Sequence, residues 1–333
     1  MPELPEVEVT RLGLHPHIID KKITGITIRQ PKLRWPVPES LNTLLENTFI
    51  TRTQRRGKYL LLEISKNKNQ ILGESCVTLT SDVPKTRRTT RQKPNARLAD
   101  KHPEYRVTED LGRAVDCAEV FGWLIFHLGM SGTLRLIDTD EPASIHDHID
   151  LHLGEKSIRL RDPRRFGALL WHPAEQGCIE QYRLLASLGV EPLTESFNGI
   201  TGAQYLYQHT RTRQQAIKQV LLAGQIVVGV GNIYASEALF HARIHPKTPA
   251  NKIGLKRYVR LVAAIRQTLQ AAIDKGGSSL RDFVASDGSH GYFQLDYMVY
   301  GKTNQPCRVC NTPIRQCLMG QRSTFFCPRC QRA

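Results

Sequence analysis

Hydrophobic and polar positions change rhythm once along this chain, near Glu191-Pro192. Upstream, the pattern is that of strands. Residues 23–30 and 56–64 ("RGKYLLLEI" around Gly57) read as strands, the second apolar enough to be buried. The run "WLIFHLGMSGTLRLI" (123–137) reads as two strands around a Gly-Met-Ser-Gly turn. In "HIDLHLGEKSIRLRD" the residues Ile149, Leu151 and Leu153, then Ile158 and Leu160, alternate with polar ones across a glycine-containing turn, as in a hairpin. Downstream the period becomes helical, over Gln204 to Ala223 and over Leu255 to Ile273. In the second stretch Leu255, Tyr258, Val262, Ile265, Leu269 and Ala272 form one apolar stripe that ends at Gly276-Gly277. The chain is therefore α+β and multidomain, with an antiparallel β part first and a helical part second.

Two stretches stand outside these rhythms. Residues 65–119 are rich in Thr, Lys and Arg, among them Lys85, Arg87, Arg88, Arg91, Lys93 and Arg97. A segment of that length with little periodicity reads as a disordered basic insertion or as a functional loop. The opening "MPELPEVEVT" is the other. Pro5 suits a first helical position, and Glu6 and Glu8 suit the positive end of a helix dipole. Helix chemistry leaves Pro2 and Glu3 unaccounted for.

The 333 residues carry 46 Lys plus Arg against 31 Asp plus Glu, a formal charge of +15. That excess, spread through both halves, points to a polyanionic partner and favours nucleic acid over a membrane surface. No apolar run is long enough to span a bilayer, and no basic-then-apolar leader opens the chain, so a soluble, cytoplasmic protein is expected. Of the eight cysteines, Cys76, Cys117, Cys178 and Cys317 follow no pattern. The others form "CRVC" (Cys307, Cys310) and "CPRC" (Cys327, Cys330), sixteen residues apart. Four thiolates at that spacing suit one structural Zn²⁺, because they saturate a tetrahedral ion and leave no open position for catalysis.

"IVVGVGNIYASEALF" imitates a dinucleotide-binding turn, but the second parallel strand that such a unit needs does not follow. A helix, a glycine turn and a short helix from Asn232 fit better, with backbone amides and the Asn232 side chain offered to a phosphate.

Taken together, "MPELPEVE", "QRRGKYLLLE", "HLGMSG", "DPRRFG", "VVGVGNIYASE", "SDGSHGYF" and "CRVC…QRSTFFCPRC" resemble the bacterial formamidopyrimidine-DNA glycosylase family. The match runs in order from Met1 to Cys330 and is broken only by 65–119. The resemblance implies an N-terminal antiparallel β-sandwich with flanking helices, a helix-two-turn-helix domain and a β-hairpin zinc finger. On that basis residues 1–185 form the catalytic domain, 186–198 a linker, 199–296 the helical domain with a lesion-capping loop, and 297–333 the zinc finger.

The resemblance also gives Pro2 and Glu3 a purpose. It implies a bifunctional glycosylase and lyase of base excision repair, in which the Pro2 amine, freed by loss of Met1, attacks C1′ of a damaged nucleotide and forms an iminium. Glu3 matches the general acid/base, and Glu6 a second carboxylate in the same pocket. Lys58, Asn232 and Arg322 match residues that hold phosphates beside the lesion. Met130 in "HLGMSG", which opens with His127, and Arg164 and Phe166 in "DPRRFG" match DNA-binding residues that fill the gap left by the flipped base. Ser286, Gly288 and Tyr292 fall in the stretch that matches the loop closing on an oxidised purine. The implied partner is duplex DNA with oxidised bases, bound by a monomer with one zinc and no membrane association. Two alternatives stand beside this: an endonuclease VIII-like enzyme for oxidised pyrimidines, and a non-catalytic zinc-containing DNA-binding protein.

Overall fold

The first helix, α1 (Leu4–Ile18), links two cores. Its Leu4 belongs to the apolar core of the helical part, whereas Val7, Leu14 and Ile18 belong to that of the β part. The protein is described by a computed structural model over residues 2–68, 120–277 and 297–332, all within one compact unit. Glu3 is the N-cap of α1, and a capping box closes between Glu3 and Glu6. Pro5 therefore occupies the second helical position, where its missing N–H is still one of the four that a helix leaves unpaired.

The β part is a sandwich. In chain order follow β1 (Gly25–Ile28), α2 (Leu41–Leu45), β2 (Phe49–Arg56), β3 (Tyr59–Ser65), β4 (Val120–His127), β5 (Thr133–Asp138), β6 (Asp147–His152), β7 (Lys156–Arg161) and β8 (Ala168–Pro173). They form two antiparallel four-stranded sheets, ordered β1-β6-β7-β5 and β2-β3-β4-β8. Leu60, Leu62, Ile64, Leu124 and Phe126 of one sheet meet Leu134, Ile149, Leu151, Ile158 and Leu160 of the other. On the far side of β3 and β4, Leu61, Trp123 and Ile125 pack on Ile179 and Leu185. Burial on both faces explains why "YLLLEI" and "WLIF" read as continuous apolar runs. The expected strand over 56–64 is in fact the end of β2, a turn at Gly57-Lys58 and then β3. The polar residues of β2, among them Thr51, Arg52 and Arg55, hid it from the hydrophobic pattern, and β8 was not anticipated.

The helical part contains α3 (Gly199–Thr210), α4 (Ile217–Ala223), α5 (Asn232–His241) and α6 (Leu255–Asp274). The helical pattern over 204–223 is split, because residues 211–216 form a turn between α3 and α4. Gly224 ends α4 with a left-handed φ of 71°. The hairpin β9 (Arg315–Met319) and β10 (Arg322–Phe326) completes the chain. Its approach is fixed by the buried Glu237 of α5, whose carboxylate accepts the backbone N–H groups of Met298, Val299 and Tyr300 at 2.7, 3.0 and 2.8 Å.

A second buried-side carboxylate joins the sandwich to the segment before α3. Glu191 accepts the Gly57 N–H at 2.6 Å and pairs with Arg55 and Arg56 at 2.7 and 3.1 Å. Arg55 also reaches Glu8 of α1 at 3.0 Å. This arrangement fixes the β2–β3 turn that carries Lys58. Glu191→Gln, which keeps the shape and removes the charge, should lower the unfolding free energy by about 2–3 kcal/mol. Urea unfolding followed by tryptophan fluorescence checks this.

Candidate active site

Pro2 and Glu3 are buried where the start of α1 meets the start of α5. One Glu3 oxygen accepts the Ile233 N–H at 3.3 Å; the other is buried with no hydrogen-bond partner among the described residues. Gly231 lies so close that a Cβ there would come within 2.4 Å of the carboxylate, so only glycine fits. Burial pushes the Glu3 carboxyl above its ordinary range, and the neighbouring Glu6 adds to this; Lys58 and the Ile233 N–H oppose it. The α5 amide that the sequence offered to a phosphate is thus taken by a carboxylate of the chain itself. Glu6 is fully buried and accepts the Glu3 backbone N–H at 2.8 Å and the Tyr234 hydroxyl at 2.6 Å.

Cations face these carboxylates. Lys58, half-buried on the β2–β3 turn, has its ammonium pKa lowered by burial and by Arg322, against the pull of Glu3 and Glu6. Arg322 is exposed at the start of β10. The next residue, Ser323, has its carbonyl bound by the Asn232 side chain at 3.1 Å and by the Lys218 ammonium at 3.3 Å. Lys218 also donates to Thr324 Oγ1 at 2.9 Å, and burial brings its pKa down to about 8. The site therefore brings together Pro2, Glu3, Glu6, Lys58, Asn232 and Arg322, all singled out in the sequence. Lys218 was missed. Its signal was a lone lysine inside the apolar pattern of α4, beside Ile217, Val220 and Leu221.

Met130, Arg164 and Phe166 stand together on the rim of the sandwich, all three exposed. Arg164 approaches the Met130 sulfur at 3.8 Å. Their loops are tied by Asp162, which is fully buried. Its carboxylate accepts the Ser131 hydroxyl at 2.7 Å, the Gly167 N–H at 2.7 Å and the Arg164 N–H at 3.3 Å. Gly129 has a φ of +62°, and a Cβ there would lie 2.4 Å from the Phe166 carbonyl carbon. Asp162 and Gly129 were legible only as parts of "DPRRFG" and "HLGMSG". His127 lies at the base of this loop, its Nδ1 accepting the Gly129 N–H at 3.0 Å. Burial and the cations Arg34 and Lys58 bring its pKa down to about 4. The ring is thus neutral at pH 7, with its proton on Nε2 and no acceptor for it among the described residues. Ser286, Gly288 and Tyr292 lie outside the described residues.

The sulfurs of Cys307, Cys310, Cys327 and Cys330 lie within 4.8 Å of one another. A tetrahedral zinc with Zn–S bonds of about 2.3 Å sets its sulfurs about 3.8 Å apart, and pairs here lie at 3.4, 3.5 and 3.9 Å. The four thiolates are positioned to hold one zinc ion.

Three family models match the chain: the formamidopyrimidine-DNA glycosylase N-terminal domain over residues 1–169, the formamidopyrimidine-DNA glycosylase H2TH domain over 188–284, and a zinc finger found in FPG and IleRS over 304–333. Proteins named formamidopyrimidine-DNA glycosylase from Janthinobacterium sp. (strain Marseille) and Herminiimonas arsenicoxydans are 50% and 47% identical to it, each over 332 residues and the whole of both chains. Those full-length alignments run through the 65–119 segment as well. Among solved structures, a complex of Lactococcus lactis Fpg with abasic-site DNA is similar at a TM-score of 0.76, with 30% identity and full coverage of both chains. A complex of MutM with carbocyclic 8-oxo-G DNA matches equally, at 0.76 and 30% over both whole chains.

Two outcomes follow from the site's chemistry. Because the folded-state pKa of Glu3 lies above its unfolded value, the folded chain binds that proton more tightly. The stabilisation is fully present below the unfolded pKa, about 4.3, and is lost as pH rises through the folded one. The unfolding free energy of the wild type minus that of Glu3→Gln should therefore fall with rising pH across this window and level off above it; urea titrations across the range test this. Separately, Cys327→Ser should release zinc, loosen the hairpin under Arg322 and weaken DNA binding more than it disturbs the sandwich. Metal analysis, DNA titration and far-UV dichroism measure the three effects.

Proposed function

The chain belongs to the formamidopyrimidine-DNA glycosylase family, and from that premise we propose that it excises oxidised purines from duplex DNA in base excision repair and then cuts the strand at the resulting site. The observation that carries this reading is the buried pairing of Pro2 with a Glu3 carboxyl whose pKa is raised, facing Lys58, on which Arg322 acts in turn. A secondary amine next to a carboxyl whose burial favours the protonated form suits iminium chemistry.

In this reading the Pro2 nitrogen attacks C1′, the glycosidic bond breaks and the base departs with its bonding electrons. Glu3 gives its proton to the sugar ring oxygen as the ring opens, and the amine loses its own proton to leave a C1′ iminium. That electron sink acidifies the C2′ hydrogen, whose removal expels the 3′ phosphate; a second elimination expels the 5′ phosphate. Lys58, Asn232, Arg322 and the Nε2–H of His127 hold phosphates, and Met130, Arg164 and Phe166 enter the stack in place of the flipped nucleotide. Glu6 fixes the start of α1 through the Glu3 N–H. Zinc takes no part in bond making; it stiffens the hairpin that carries Arg322. Ser286, Gly288 and Tyr292 belong to the loop closing over the base. The protein acts as a monomer in the cytoplasm, with no membrane association, and its working domains are 1–185, 199–296 and 297–333, joined by the linker 186–198. Among the described residues, no helix is long and apolar enough to cross a membrane.

Borohydride trapping on a duplex with 8-oxoguanine opposite cytosine should give a covalent adduct at Pro2, in enzyme whose intact mass lacks Met1. An oxidised-pyrimidine duplex should be cut more slowly. Glu3→Gln should slow base release about 10²–10⁴-fold. Full activity with Met1 retained, or no adduct from active enzyme, defeats the mechanism.

A further inference from the structure

We propose that the outer face of the sheet β1-β6-β7-β5 is a docking site for an acidic segment of a partner protein, in which a carboxylate of the segment pairs with Arg135 and an adjacent apolar side chain packs on Ile145. On β5, Leu134 points into the sandwich core and Arg135 to the opposite face. The register sets Arg135 directly across from Arg159 of β7, and like charges so placed repel. Arg159 is neutralised on its other side by Asp150, at 2.9 and 2.8 Å. Arg161 is matched by Asp147 at 3.4 Å and by the Ser144 hydroxyl. Arg135 has no such partner among the described residues, and its Nε is buried with no acceptor. Leaving a buried donor unpaired is costly, so this face is short of one anion.

The space beside Arg135 is a cleft of about 140 Å³, walled by Ile137, Pro142 and Asp147 as well as the arginines. It admits a carboxylate-bearing side chain and is too small for a nucleotide. The segment between β5 and β6 crosses the cleft and presents Ile145, 87% exposed, at its edge. A guanidinium binds a carboxylate through two parallel N–H groups, and the exposed isoleucine gives the neighbouring residue of such a segment an apolar seat. Glu141 and Asp147 in the cleft wall already pair with Arg159 and Arg161, and the exposed Ile145 suits a segment that alternates acidic and apolar side chains rather than a phosphate backbone, which carries a charge at every nucleotide. The net charge of +15 draws acidic segments toward the protein at long range.

The probe is a fluorescein-labelled hexapeptide, Leu-Asp-Glu-Leu-Asp-Leu, titrated by anisotropy with the full-length zinc-loaded protein, alongside its Asn/Gln counterpart. Saturable binding of the acidic peptide is expected, weakened about tenfold by Arg135→Met and by the neutral sequence. Ile145→Ser should weaken it by a smaller factor, and cleavage of an oxidised-purine duplex by Arg135→Met should equal that of the wild type. The proposal is overturned if the acidic peptide does not bind, if the neutral peptide binds as well, or if Arg135→Met leaves peptide affinity unchanged. It is equally overturned if Arg135→Met weakens binding to undamaged duplex DNA, since the face is then a DNA contact.

Discussion

The carboxylate of Glu3 is held between the beginnings of two helices, and the position of both depends on it. It caps α1 and accepts the Ile233 N–H in the first turn of α5, while Gly231 leaves it no room to move. Helix N-termini carry partial positive charge and favour an anion, yet burial outweighs them and holds the carboxyl above its usual pKa. Leu4, one residue on, packs in the helical core and touches the wall at Gly229. Pro2 is therefore buried at the junction of the sandwich and the helices. Its placement depends on α1 keeping contact with both cores at once.

The same device recurs around the site: a buried or nearly buried carboxylate accepts backbone N–H groups from a loop, and the loop carries a cation or a wedge. Glu191 ties down the turn of Lys58. Asp162 ties down the loops of Met130, Arg164 and Phe166. Glu237 ties down the segment leading into the hairpin of Arg322. Charge-assisted bonds of this kind are about twice as strong as neutral ones, which suits loops that must keep their shape against DNA. The arrangement also sorts charge. Part of the acidic minority of a chain with a net charge of +15 goes to internal fastening, and cations such as Arg164 and Arg322 remain exposed on the surface.

How much of this was legible in the sequence depended on whether a residue's job is local. Strands β5 to β7 follow from alternation, α6 from its stripe, and the zinc ligands from their spacing, because each signal lies within a few residues. The polar strand β2 was hidden, since its neighbours in space supply the burial that its own sequence lacks. The break between α3 and α4 was hidden because the residues after Thr210 remain compatible with a helix; the turn is closed by distant partners, Arg213 and Gln215 accepting the N–H groups of Asn251 and Ala250. Lys218 and Asp162 are site residues whose meaning comes from residues more than thirty positions away, Thr324 for one and Ser131 for the other. Pro2 and Glu3 were legible as an anomaly, a pair that helix chemistry did not need, and acquired a role only through resemblance.

Lys58, Lys218 and Arg322 bear on how the site meets its substrate. Arg322 lowers the pKa of both lysines, while Glu3 acts to raise them. Three cations converging on two buried carboxylates leave the pocket short of negative charge, which in the proposed reading a nucleotide phosphate supplies. A phosphate at Lys58 and Arg322 would relieve their mutual repulsion, so that part of the electrostatic cost of building the pocket would be recovered on binding DNA. The same phosphate would disfavour ionised Glu3, acting in the same direction as burial. In the proposed mechanism substrate binding therefore favours the protonated form that opening the sugar ring requires, and the cations assigned to the backbone are coupled to the acid through charge alone.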